Sequence, residues 1–171
     1  MVVVSRCLTG ARCRYNGATL SGGPARRLSR TARLVSICPE TAIGLPVLRE
    51  PIRLVRAGGT IRLIQTRTGR DLTAKMRSFC RRFLSGFKAD GFILKARSPS
   101  CAVRDATVWD AAGRRLRKKQ AGLFAAAVLA RFPDRPVEDE RALSSARARM
   151  RFLGRVQGEA GKRPTRKGGR R

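Results

Sequence analysis

The chain has 171 residues, of which 39 are Lys or Arg and 11 are Asp or Glu, giving a formal net charge of +28 with no histidine at all. The length suits one domain, and 42% hydrophobic residues supply a core, so disorder of the whole chain is excluded. Without histidine there is no Ser-His-Asp triad, no Cys-His pair and no Cys/His zinc finger; a general base must be a carboxylate, a lysine, a cysteine or a group of the substrate.

The start, Met1-Val-Val-Val-Ser-Arg-Cys7, lacks the basic leader and long apolar region of a secretory signal. Residues 121–130, the longest apolar stretch, are about half the length of a membrane span; the expected location is the cytoplasm, with no membrane partner. Val2–Ser5 is a short β-branched run that reads as a strand running into a glycine turn at Gly10. A helix is expected over 24–32 and a second strand at 34–37, ending in Cys38-Pro39-Glu40. The alternation from Gly59 to Thr68 predicts an added strand or hairpin. A longer helix follows over 71–88, with Asp71 as its N-cap and apolar residues at 72, 76, 79, 80, 83 and 84. Gly91–Ala96 reads as a third apolar strand, ending in Ser98-Pro99-Ser100-Cys101. Gly122–Phe132 predicts an apolar helix stopped by Pro133, and 138–153 a surface helix. The end is basic and rich in Gly and Pro, and reads as a disordered tail.

This alternation predicts an α/β fold: a single Rossmann-like domain over 1–155, with a mostly parallel sheet flanked by helices, and a disordered basic C-terminal tail over 156–171. No Walker-type or dinucleotide-type glycine motif is present. Of the five cysteines, Cys80 fits the apolar stripe of the helix over 71–88 and reads as a buried core residue. An odd number without a signal argues against a disulfide framework, and no Cys-x-x-Cys pair occurs. Cys7, Cys38 and Cys101 each follow a strand exit, and ligands in such sheets collect beyond the carboxyl ends of the strands. Two readings follow: three independent buried thiols, or three thiolates holding an iron–sulfur cluster with one open iron.

The sequence also carries several ordered motifs. They are Ser5-Arg6-Cys7-Leu8-x-Gly10, Cys13-Arg14-Tyr15-Asn16-Gly17, Cys38-Pro39-Glu40 with Gly44-Leu45-Pro46 and Arg49-Glu50-Pro51, Gly69-Arg70-Asp71-Leu72-Thr73, and Leu94-Lys95-Ala96-Arg97-Ser98-Pro99-Ser100-Cys101. Further matches run through Gly122–Ala127 and Arg131-Phe132-Pro133 to Pro136–Glu140. Together they resemble the family catalogued as domain of unknown function 523, which includes the thiouracil desulfidases, over residues 3–155. The resemblance implies a 4Fe–4S cluster held by Cys7, Cys38 and Cys101, with Cys13 beside but outside the ligand set. It implies that Glu40 transfers protons and that Ser98 is catalytic. Tyr15 and Ser100 are then expected to border a small thiolated nucleobase such as 2-thiouracil, whose sulfur leaves without net redox change. Asn16, Leu48 and Ala102 depart from the family's usual residues; a positive φ at Ala102 would strain the last cysteine loop.

Two other functions compete on the residues alone. The charge suits a nucleic-acid-binding protein, with RNA or another polyanion as partner of the basic surface and tail. Aromatic residues are only 5%, however, which supplies a stacking platform poorly. The other alternative is a non-catalytic iron–sulfur sensor. An internal ion pair between Arg49 and Glu50, or between Arg49 and Glu40, is the structural alternative to catalysis in that segment.

Overall fold

The computed structural model describes residues 1–20, 27–28 and 31–161. In chain order its elements are β1 (Val2–Ser5), β2 (Leu34–Ile37), α1 (Pro39–Ala42), β3 (Ile52–Ala57), β4 (Thr60–Gln65), α2 (Thr73–Ser85), β5 (Gly91–Leu94), β6 (Val108–Asp110), α3 (Leu123–Arg131), β7 (Val137–Asp139) and α4 (Ala146–Gly161). Short 3-10 turns span Arg6–Thr9 and Ala142–Ser144.

The main sheet has the order β2-β1-β5-β7, every pair parallel. Its two central strands are buried on both faces, which is why they read as unbroken apolar runs rather than alternating ones. Val3, Phe92 and Leu94 point into a core shared with Met76 and Phe79 of α2 and Phe124 of α3. Val2, Val4 and Ile93 point the other way, onto Leu8, Leu143, Phe152 and Val156. A second sheet, β4-β3-β6, places Leu54, Leu63 and Val108 in the first of these cores. The α/β architecture with a mostly parallel, helix-flanked sheet is thus the one expected. Among the described residues no helix is long and apolar enough to cross a membrane.

Four local expectations are corrected. The hairpin has its first arm at β3, upstream of the segment expected, because Arg53 and Arg56 break the apolar pattern that would have marked it. Its turn is Gly58-Gly59, both at positive φ (55° and 73°), as a tight two-residue hairpin loop requires. The second helix begins at Thr73, with Leu72 rather than Asp71 in the cap position. Asp71 still serves the helix start, since its Oδ1 accepts the Thr73 N–H at 2.8 Å; hydrogen bonds from Thr73 hold its carboxyl below the usual carboxylate range. Residues 138–153 are not one surface helix. Val137–Asp139 pair with β5, the Asp139 Oδ1 turns the chain by accepting the Arg141 and Ala142 N–H groups, and the helix starts only at Ala146. That helix is also not superficial: Phe152 and Val156 are buried over Gly91, where a Cβ would sit 2.9 Å from Val156 Cγ2. α4 runs to Gly161, past the boundary expected at 155. The helix expected over 24–32 falls mostly outside the described residues, and so does the tail over 162–171.

The start of α3 fixes the segment that carries Cys101. The Gly122 N–H donates to Ala102 O at 2.8 Å, Leu123 N–H to Pro99 O at 3.1 Å, and Phe124 and Ala125 N–H to Ser100 O at 2.9 and 3.1 Å. These groups would otherwise be the unpaired donors of a helix N-terminus. The approach needs a residue without a side chain, because a Cβ at position 122 would lie 2.5 Å from Ser100 C and 2.7 Å from Pro99 O. Gly122→Ala is therefore expected to cost about 1–3 kcal/mol in urea denaturation. Gly86→Ala, at a helix end with negative φ and open space around it, should shift stability by less than about 1 kcal/mol. Equal losses for the two would refute the close-approach argument.

Candidate active site

Because β1 lies between β2 and β5, the chain leaves the carboxyl ends of these three strands around a single crevice. Cys7 sits in the 3-10 turn after β1, Cys38 precedes α1 directly after β2, and Cys101 closes the loop after β5. All three line one cleft of about 520 Å³, together with Cys13, Tyr15, Glu40, Arg49, Lys95 and Ser98. The structure thus brings together six of the seven site residues expected from the sequence; Ser100 is the exception.

The thiols are free and strongly affected by their surroundings. Burial, and then the neighbouring Cys38, push Cys7 from an ordinary 9.0 up to about 11. Burial also raises Cys101 well above its usual value, against a hydrogen bond with Ser5 that favours its thiolate. Cys13 is pushed up to about 12 by burial, Cys38 and Cys7. Cys101 feels both Cys7 and Cys38 through charge, so the three thiols expected as ligands form one electrostatic cluster. Among the described residues, no three His, Cys, Asp or Glu side chains converge tightly enough for a single metal ion. An iron–sulfur cluster takes its thiolates one per iron around a larger body, and the all-sulfur donor set at the mouth of a cleft is chemically suited to it.

Glu40 is the second residue of α1 and is gripped at both oxygens. Arg49 donates to Oε2 from Nη2 at 2.6 Å and from Nε at 3.1 Å, while the Ser100 hydroxyl donates to Oε1 at 3.0 Å. The same guanidinium donates to the backbone oxygens of Cys13 and Pro46, joining three segments of the cleft wall. Its side chain is only 3% exposed. Arg49 therefore pairs with Glu40 and not with Glu50, whose partner is Arg67.

The two serines flanking Pro99 face opposite ways. Ser98 lines the cleft, and its Oγ accepts the N–H groups of Ser100 and Cys101 at 3.2 and 3.1 Å; its own hydroxyl proton is the group it can offer a ligand. Ser100 is fully buried behind Glu40, so the expectation that it borders the substrate is corrected. Its hydroxyl positions the carboxylate instead. Tyr15 stands at the cleft wall, 42% exposed, with its backbone oxygen accepting the Arg49 N–H. Ala102 needs no positive φ; among the described non-glycine residues only Arg97 has one, at 62°. Asn16 forms a local turn through its Oδ1 and the Ala18 N–H.

Sequence reasoning missed two groups. Lys95 lines the cleft and donates to Glu140 Oε1 and Ala96 O, while Glu140 Oε2 accepts the Ala96 N–H. The signal was a lysine at the exit of an apolar strand. Ser5 is buried, touches Cys101 and accepts the Lys95 N–H at 3.0 Å; a lone serine closing Val-Val-Val was its trace.

Comparison with known proteins adds independent findings. A family profile described as 2-thiouracil desulfurase matches residues 2–140. The chain is 32% identical over 111 residues to YbbK, an uncharacterised protein of Bacillus subtilis (strain 168), covering 59% of this chain and 72% of that one. It is also similar to a solved structure described as the 4Fe-4S-dependent thiouracil desulfidase TudS. There the TM-score is 0.59 at 29% identity, over 83% of this chain and 91% of the other.

Two stability tests follow from the geometry. Arg49→Met strands the Glu40 carboxylate and is expected to cost about 3 kcal/mol, largely recovered when Glu40→Gln is added; no recovery in the double variant would count against the pair. The buried thiols hold their protons longer in the folded chain than in the unfolded one. In metal-free protein, stability is therefore full below about pH 9 and falls as the pH rises toward about 11 for Cys7 and Cys80. A denaturation midpoint that stays level between pH 8 and 11 would contradict the burial of these groups.

Proposed function

The chain belongs to the 2-thiouracil desulfurase family, and we propose that it replaces the sulfur of a thiolated pyrimidine such as 2-thiouracil with oxygen, without net oxidation or reduction. The observation that carries this reading is the meeting of three thiols and one gripped carboxylate in a single cleft. Cys7, Cys38 and Cys101 would hold a 4Fe–4S cluster, the cofactor on which the similar desulfidase depends. When bound, such a cluster supplies an iron free of protein thiolate, a Lewis acid with affinity for sulfur.

The remaining work falls to the chain's own residues. Water adds to the thiocarbonyl carbon, the carbon–sulfur bond breaks, and water plus thiocarbonyl become carbonyl plus hydrogen sulfide, so no electrons are required from outside. Glu40 takes the proton from the attacking water at Oε1, which carries only the Ser100 hydrogen bond, and returns it to the departing sulfur. Arg49 and Ser100 hold the carboxylate still while it does so. Ser98 offers its hydroxyl proton to the ring, and Tyr15 borders the base at the mouth. Lys95, tied to Glu140, keeps a fixed positive charge on the wall where negative charge develops.

Anaerobic reconstitution with iron and sulfide tests this reading. About four irons per chain and broad visible absorption are expected, lost in Cys7→Ala, Cys38→Ala or Cys101→Ala. Glu40→Gln should keep the cluster but release sulfide from 2-thiouracil at least about 100-fold more slowly. Failure of the reduced wild-type chain to take up iron would overturn the proposal, and a cluster with no sulfide release would favour a sensor.

A further inference from the structure

Cys13 has no part in the reaction just described, yet it is packed into the cleft wall against Cys38. The Cys38 thiol donates to the Cys13 carbonyl oxygen at 3.8 Å. Arg49 fixes this arrangement by donating twice to the same Cys13 oxygen, at 3.2 Å each. The pair also differs in access. Cys38 is half-buried, while Cys13, on the same cleft, is only 3% exposed. A more accessible thiol beside a buried one suits an attacking and a resolving cysteine.

We propose that in the cluster-free protein Cys13 and Cys38 form a reversible disulfide, which withdraws Cys38 from cluster binding until the bond is reduced. The proposal rests on the reading of Cys38 as a cluster ligand. The oxidant is a small disulfide of the glutathione class. The Cys38 thiolate attacks one of its sulfurs, breaking the S–S bond; one small thiolate leaves with the electron pair, and a mixed disulfide remains. The Cys13 thiol then attacks Cys38 Sγ, its proton passing to the second small thiolate as that group leaves. Two protein thiols and one disulfide become one protein disulfide and two small thiols, with the two protons passing to the leaving groups. Cys13 lies in a segment without helix or strand, so closure needs only side-chain and loop adjustment. Cys7 is the natural competitor, but the hydrogen bond of the Cys38 thiol goes to Cys13. The bond would also shelter Cys38 from irreversible oxidation while the site awaits its cluster.

The test uses the full cluster-free chain treated with oxidised glutathione, followed by thiol counting and non-reduced peptide mapping. Free thiols are expected to fall from five to three, with one linked peptide pair joining Cys13 to Cys38. Iron uptake on reconstitution should be lost and then restored by a thiol reductant. Cys13→Ser should instead keep a glutathione adduct on Cys38. Five persistent thiols, a Cys7–Cys38 link, or a stable glutathione adduct on wild-type Cys38 would each overturn the proposal. Iron uptake by the reduced wild-type chain is the separate control: its absence sinks the proposed ligand set and leaves the mapped disulfide to stand or fall by itself.

Discussion

The cleft depends on the contact between the start of α3 and the Pro99–Ala102 segment. Four N–H groups, of Gly122, Leu123, Phe124 and Ala125, meet three carbonyl oxygens there, and the contact closes only because residue 122 has no Cβ. A loop after a parallel strand is ordinarily free to wander. Here the loop behaves as an extension of a helix that is itself buried through Phe124, Ala125 and Val128. Cys101 thus inherits the rigidity of the core while remaining at the edge of a cleft.

Electrostatics give the cleft its second character. Burial raises Cys7, Cys13 and Cys101 above the ordinary thiol range, so protonated thiols spare the cleft three adjacent negative charges. Thiolate ligation reverses this, since a metal-bound thiol must give up its proton. Loading such a site therefore releases protons and is favoured by higher pH, the opposite direction from the stability of the empty protein. Glu40 is treated differently. Its charge is met by a guanidinium and a hydroxyl, which satisfy it whether or not the thiols are occupied.

Much of this was legible in the sequence, and the physical reasons for success and failure differ by element. β1 and β5 were readable because strands buried on both faces need continuous apolar runs, and α3 because nothing polar interrupts it. The convergence of Cys7, Cys38 and Cys101 followed from strand-exit logic, which depends on topology rather than on side-chain detail. β3 was missed because Arg53 and Arg56, one on each face, break its apolar pattern, and β7 because three residues paired to a neighbour leave no periodic trace. Arg49 illustrates the limit most clearly. Its motifs left Glu40 and Glu50 both open as partners, and only the fold, by bringing α1 to its fork, decides for Glu40.

Ser98 and Ser100 show what such hidden geometry does for function. Two serines around one proline looked equivalent in the sequence, yet the turns of this loop send one hydroxyl into the cleft and the other beneath Glu40. Ser100 consequently joins both systems. Its carbonyl oxygen accepts the first N–H groups of α3, and its hydroxyl donates to Glu40, which Arg49 ties onward to the Cys13 backbone. A line of hydrogen bonds thereby runs from the core helix through Glu40 to the Cys13 backbone. A shift of the Cys101 loop therefore bears on Glu40, which couples the proposed ligand placement to the proposed proton transfer. In a chain without histidine, that coupling gives the proposed acid–base carboxylate the fixed placement such catalysis requires.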